Sequence, residues 1–123
     1  MDDKKTVLII DDDAQFASDL SVKFEGTGFK TVNAVTGKEA LSYIRDNPVD
    51  YIVLDFIMPE MDGYQFYHTM RYDLRKNIPT IVLTNLAGSK SDQGLEVFVK
   101  NQTDLDGLVT KIKEKLTPPA PQT

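Results

Sequence analysis

The sequence predicts a doubly wound α/β domain, with five parallel strands in the order 2-1-3-4-5 and helices on both faces. Three observations predict it. Short apolar runs alternate with amphipathic stretches, the pattern of βαβ units joined by right-handed crossovers. The strongest runs, Val7–Ile10 and Tyr51–Leu54, are continuous, as in strands covered on both faces. Finally, five strands within 123 residues suit the smaller of the two common doubly wound orders.

Each element has a local reason. Val7-Leu8-Ile9-Ile10 forms strand one. Asp13 caps a helix from Ala14 to about Glu25, with Phe16, Leu20 and Phe24 repeating on one face and Gly26 and Gly28 stopping it. Phe29 to Val35 is a weaker strand. Thr36 caps a second helix that turns Ala40, Leu41 and Ile44 inward, and Asn47-Pro48 ends it. After strand three, Gly63 to about Met70 is helical, with Phe66 and Met70 on one face. Pro79 introduces strand four, Ile81–Leu83, and Val97–Val99 is strand five. Thr103 with Asp106 resembles a capping box, opening a last helix that carries Leu105, Leu108, Val109, Ile112 and Leu116 inward. Residues 1–116 make the domain. Thr117–Thr123 holds three prolines, so it reads as an extended tail or the stub of a linker.

Composition excludes several function classes. With 14 Lys+Arg against 19 Asp+Glu, the net charge is −5, which argues against nucleic-acid binding by this segment. No cysteine is present, so disulfides, thiol catalysis and thiolate zinc sites are excluded. No apolar run is long enough for a signal-peptide core or a membrane span, and a soluble cytoplasmic domain is expected.

Ligands of such sheets bind beyond the carboxyl ends of the strands, beside the switch point between strands one and three. The residues there are polar. Asp11, Asp12 and Asp13 follow strand one, Asp55 follows strand three, Thr84 ends strand four and Lys100 follows strand five. Two carboxylates about 4–5 Å apart repel by roughly 3–4 kcal/mol at an effective dielectric of 20. Asp11, Asp12 and Asp55 in one crevice therefore call for a cation. Oxygen ligands without His or Cys select a hard divalent ion, Mg²⁺. Lys100 opposite would neutralise phosphoryl charge and the Thr84 hydroxyl would donate to a phosphoryl oxygen, a constellation suited to phosphoryl transfer onto a carboxylate. Asp13 itself reads as a helix cap.

These residues resemble a known family. Ile10-Asp11-Asp12-Asp13, then Leu54-Asp55 with Met58-Pro59-Glu60-Met61-Asp62-Gly63, then Ile81-Val82-Leu83-Thr84 and Val99-Lys100, look like the receiver domain of two-component response regulators, of the flavodoxin-like chemotaxis type. The likeness spans residues 5 to 116. It implies that Asp55 accepts a phosphoryl group from a sensor histidine kinase or phosphotransfer protein, as a step in a phosphorelay that switches binding of a downstream protein target. It implies that Asp11 and Asp12 organise Mg²⁺ beside Asp55, with Asp12 the direct ligand and the Ile57 backbone carbonyl a further one. Thr84 would be the switch hydroxyl and Lys100 the phosphoryl partner. Such a domain catalyses its own phosphorylation and dephosphorylation and acts on no other substrate. Locally, Pro59 would restrict the backbone near the metal, Asp62 would cap the third helix and Gly63 would relax the turn.

Three departures from the family pattern carry expectations. Asn101 stands where the family usually has a cis-proline. A cis bond there would cost about 2.5–4 kcal/mol, so a trans Lys100–Asn101 bond is expected. Val97 stands where an aromatic reporter is usual, and Phe98, pointing to the other face, is expected in the core. Signalling would then rest on backbone shifts around Thr84. Thr84 and Lys100 are only sixteen positions apart, so the helix expected between strands four and five should be shortened to one turn or missing. Asn85 replaces a smaller residue and would crowd or hydrogen-bond the phosphoryl group.

Other features read blandly. His68 is a surface residue of helix three, Tyr64, Tyr67 and Tyr72 make a half-buried helix face, and Gly107 weakens the last helix by about 1 kcal/mol. Two competing functions stand beside the receiver. One is a pseudo-receiver that acts as a phosphorylation-independent interaction module. The other, a flavodoxin-like cofactor carrier, fails because Asp11-Asp12-Asp13 would repel phosphate.

Overall fold

A computed structural model describes residues 4–58, 60–85 and 95–116. Its five strands are β1 (Thr6–Ile10), β2 (Lys30–Ala34), β3 (Tyr51–Leu54), β4 (Thr80–Thr84) and β5 (Glu96–Val99). They form one parallel sheet in the order β2-β1-β3-β4-β5. Four α-helices lie among the described residues: α1 (Ala14–Glu25), α2 (Gly37–Asp46), α3 (Gly63–His68) and α4 (Leu105–Leu116).

The sheet divides the apolar side chains into two cores, because successive residues of a strand point to opposite faces. Val7, Ile9, Tyr51, Val53, Ile81 and Leu83 face α1 and α4, where Leu20, Phe24, Leu108, Val109 and Ile112 are buried. Leu8, Ile10, Ile52 and Leu54 face α2 and α3, where Ala40, Ile44, Phe66 and Met70 are buried. This two-sided burial is why β1 and β3 read as unbroken apolar runs.

The helix starts follow their caps. Asp13 accepts from the Phe16 amide, Thr36 from the Glu39 amide, and Asp62 closes a full capping box with Gln65. α4 differs from expectation. The helix starts at Leu105, so Asp104 rather than Thr103 directly precedes it, and the Thr103 hydroxyl donates to the Val99 carbonyl at 2.7 Å. The Asp104 carboxylate lies over Gly107, where a Cβ would come within 2.7 Å of its Oδ2. That oxygen is the far end of an exposed side chain that can turn aside, so the contact does not by itself require glycine. α3 is also shorter than its apolar pattern. The chain widens into a π-turn over Thr69–Asp73 that still buries Met70. Phe98 is half-buried against the α1/α4 core rather than inside it, because β5 has an exposed-to-half-buried profile throughout.

The Lys100–Asn101 bond is trans, and the chain turns there through a 3₁₀ segment, Lys100–Gln102. The short or missing helix expected between β4 and β5 falls within 86–94, and Pro59 and the proline-rich 117–123 likewise fall outside the described residues. No described helix is long and apolar enough to cross a membrane.

Candidate functional site

The site is built by strand register. Ile10 pairs with Leu54, so the residues that follow each, Asp11 and Asp55, leave the sheet side by side. The Asp11 amide donates to Ala34 O at 3.0 Å and the Asp55 amide donates to Ile10 O at 2.9 Å, so both backbones remain tied to the neighbouring strand. Thr84 pairs with Val99, which delivers Lys100 to the same rim from the far side.

Asp11, Asp12 and Asp55 come together there. One carboxylate oxygen from each lies within 4.8 Å of the others. Asp11 and Asp55 are buried, while Asp12 is exposed. Lys100 reaches in with its ammonium 2.6 Å from Asp11 Oδ2 and 3.4 Å from Asp55 Oδ2. Its side chain is 6% exposed, against 4% for Asp11 and 8% for Asp55, so the three charges meet largely out of water. Each buried carboxylate also accepts one backbone amide: Asp13 N–H on Asp11 Oδ1 at 2.9 Å, and Ile57 N–H on Asp55 Oδ1 at 3.2 Å.

Burial pushes the Asp11 carboxyl above its ordinary range, and Lys100 and the Asp13 amide pull it back only in part. Burial works against the Lys100 charge as well, but the bond to Asp11 and the field of Asp55 outweigh it and hold the ammonium above its ordinary value. The asymmetry has one cause. Desolvation opposes both charges; two carboxylates together outweigh it for Lys100, whereas one lysine and one amide do not outweigh it for Asp11. An oxygen-only, net-negative pocket of this kind fits a hard divalent cation.

Thr84 is fully buried at the end of β4, and Asn85 is exposed just beyond it. Ile57 presents its amide to Asp55, and the residue is 54% exposed. Gly63 is required for close approach, since a Cβ there would lie 2.6 Å from Phe56 Cδ1 and 3.0 Å from Phe56 Cα. Its amide donates to Phe56 O at 3.0 Å, which pins the start of α3 against the segment carrying Asp55. Tyr64 stacks on Phe56 at 4.7 Å between centroids, and the His68 ring, exposed on α3, sits 4.7 Å from that of Tyr72. One contact is not foreshadowed by any sequence pattern: the Lys100 ammonium lies 4.3 Å from the centroid of the Phe16 ring. Phe16 reads from its spacing as an ordinary core position of α1.

The family model of the response regulator receiver domain matches residues 7–114. Response regulator SaeR of Staphylococcus aureus is 37% identical over 120 residues, covering 90% of this chain and 50% of SaeR. A probable transcriptional regulator, ycf27 of Guillardia theta, is 35% identical over 99 residues, covering 79% of this chain and 38% of its own length. The chain thus spans half or less of these curated relatives. Among solved structures, the Francisella response regulator 1452 receiver domain superposes with a TM-score of 0.75 at 31% identity, covering 90% of this chain and 95% of that one. TrrA of Thermotoga maritima, solved in complex with Mg²⁺–BeF, superposes with a TM-score of 0.78 at 26% identity, covering 91% and 99%. With the acidic crevice at the switch point, the lysine brought to it from β5 and a family match over almost the whole described chain, this protein belongs to the response regulator receiver domains of two-component systems.

Proposed function

We propose that the domain takes a phosphoryl group on Asp55 from a sensor histidine kinase or phosphotransfer protein, in a Mg²⁺-dependent step that switches binding to a downstream protein. The observation that carries this reading is the approach of three carboxylates to within 4.8 Å of one another beside a buried lysine. Asp11, Asp12 and the Ile57 carbonyl would hold the ion, with Asp55 contributing an oxygen. When bound, Mg²⁺ supplies charge neutralisation and orients phosphoryl oxygens.

The chain's own residues do the rest. An Asp55 carboxylate oxygen attacks phosphorus, an O–P bond forms, the N–P bond of the donor phosphohistidine breaks, and the imidazole leaves with the electron pair. The Ile57 amide orients the carboxylate through Oδ1. Lys100 already faces Oδ2, and its ammonium balances the charge that accumulates on the phosphoryl oxygens. Thr84 donates its hydroxyl to one of those oxygens, and Asn85 lines the approach. With Val97 in place of an aromatic reporter, the response passes through backbone shifts around Thr84. The reading confines chemistry to the domain's own phosphorylation and dephosphorylation. It gives residues 1–116 the receiver role and 117–123 that of a tail or linker, and it assigns no nucleic-acid contact to this domain, in keeping with the net charge of −5.

Incubation of the chain with Mg²⁺ and acetyl phosphate should yield an acid-stable, alkali-labile adduct of one phosphoryl group on the intact protein. The adduct should be abolished in Asp55→Asn and by chelation of Mg²⁺. A wild-type chain that takes no phosphoryl group from any donor would instead favour a phosphorylation-independent interaction module.

A further inference from the structure

We propose that Phe16 is a positioning residue of the phosphoryl-transfer site, its ring face holding the Lys100 ammonium between Asp11 and Asp55. The inference rests on the reading above, in which Lys100 meets the phosphoryl group.

The geometry forms a closed circuit. Asp11 Oδ2 binds the Lys100 ammonium at 2.6 Å, and that ammonium lies 4.3 Å from the centre of the Phe16 ring. The Phe16 amide donates to Asp13 Oδ1 at 3.1 Å. The Asp13 amide in turn donates to Asp11 Oδ1 at 2.9 Å, which returns to the first carboxylate. Phe16 is therefore placed by the same N-terminal turn of α1 that orients Asp11. The ring is only partly buried against the α1/α4 core, so core packing alone does not account for where its face is directed.

The physical role follows from what a buried ammonium needs. Lys100 has three N–H donors and a flexible four-carbon stem, so two carboxylates do not define its position by themselves. An aromatic face attracts the charge without offering a competing acceptor, and the attraction strengthens away from water. The ring thus shields one flank of the ammonium from solvent and leaves its N–H groups to Asp11, Asp55 and an incoming phosphoryl oxygen. An aliphatic side chain at the same place fills space but provides no quadrupole.

The test uses the full chain, Mg²⁺ and acetyl phosphate, and reads the rate of adduct formation on Asp55. Phe16→Leu should slow it by about three- to tenfold, and Phe16→Tyr should restore most of the rate. Replacing Phe16 with mono-, di- and trifluorophenylalanine weakens the ring's negative face at nearly constant shape. The logarithm of the rate should fall stepwise along that series while the melting temperature holds. The Lys100 side-chain methylene protons should show ring-current shifts in the unphosphorylated protein that disappear in Phe16→Leu. A flat fluorination series, or a Phe16→Leu variant that labels at the wild-type rate, would overturn the proposal while leaving Asp55 phosphorylation intact. A wild-type chain that shows the ring-current shifts yet takes no phosphoryl group would bring down the underlying function, and with it the role of Phe16.

Discussion

The two halves of the site rim are secured in different ways. On the β1/β3 side, both strands are buried almost throughout, and Asp11 and Asp55 leave them on backbone hydrogen bonds to the next strand. On the β5 side, the strand is four residues long and nowhere fully buried, and Lys100 follows it directly into a 3₁₀ turn. The acidic groups are thus positioned by the sheet itself. The lysine is positioned by what its side chain touches: two carboxylates and an aromatic ring. In a switch, the pre-organised half is suited to holding a charge-dense ion, and the half tied by side chains is suited to answering a change of charge.

Substitutions on the two sides should separate these modes of attachment. The largest loss of stability is expected at Gly63, where a Cβ would strike Phe56 backbone and ring at 3.0 and 2.6 Å. Gly63→Ala should cost about 2–3 kcal/mol in chemical denaturation, because the Phe56 ring, stacked on Tyr64, and the Phe56 main chain behind it both stand in the way. A smaller cost, about 1–2 kcal/mol, is expected for Lys100→Met measured without Mg²⁺. Breaking a buried ion pair commonly costs about 3–5 kcal/mol. Here Asp11 already has a raised pKa and can take up a proton, and it keeps its bond from the Asp13 amide. Added Mg²⁺ should recover part of the loss in Lys100→Met, whereas it should do little for Gly63→Ala. If both variants respond equally to the ion, the contrast between a sheet-positioned and a side-chain-positioned half does not hold.

Tyr51 gives a probe of the boundary between the halves. Burial in β3, with Glu96 of β5 adding repulsion, pushes its hydroxyl from an ordinary 10.0 up to about 12. The folded state therefore favours the neutral phenol. Its contribution is intact below pH 10 and is lost as pH rises from 10 through about 12. Alkaline titration of stability should show this decline in the wild type and a shallower one in Tyr51→Phe. The smallest effect is expected at the surface pair Lys115–Glu96, 3.1 Å apart with side chains about half exposed. Lys115→Ala should change stability by less than about 0.5 kcal/mol, and added salt should erase the difference.

Much of this arrangement is legible along the chain. The caps at Asp13, Thr36 and Asp62, the two-sided burial of β1 and β3 and the strand order all follow from local chemistry and hydrophobic period. So does the meeting of Asp11, Asp12 and Asp55, since residues that follow adjacent parallel strands must share a rim. Thr103 misleads because a cap is fixed by where the chain turns into the helix, and the turn places Asp104 rather than Thr103 directly before Leu105. Phe98 misleads because alternation assigns a face, not a depth, and an outer strand buries less of that face.

What the sequence by itself determined is the periodicity: which runs become strands, where helices start, and hence which acidic residues gather at the switch point. What only the tertiary structure decided is how those groups are paired. The Phe16 ring under Lys100, the lysine's shorter bond to Asp11 than to Asp55, and the fit of Gly63 against Phe56 all join residues from different elements. Their separations depend on the packing distance between helix and sheet and on rotamers selected by burial. Those are properties of the assembled core that no single segment encodes.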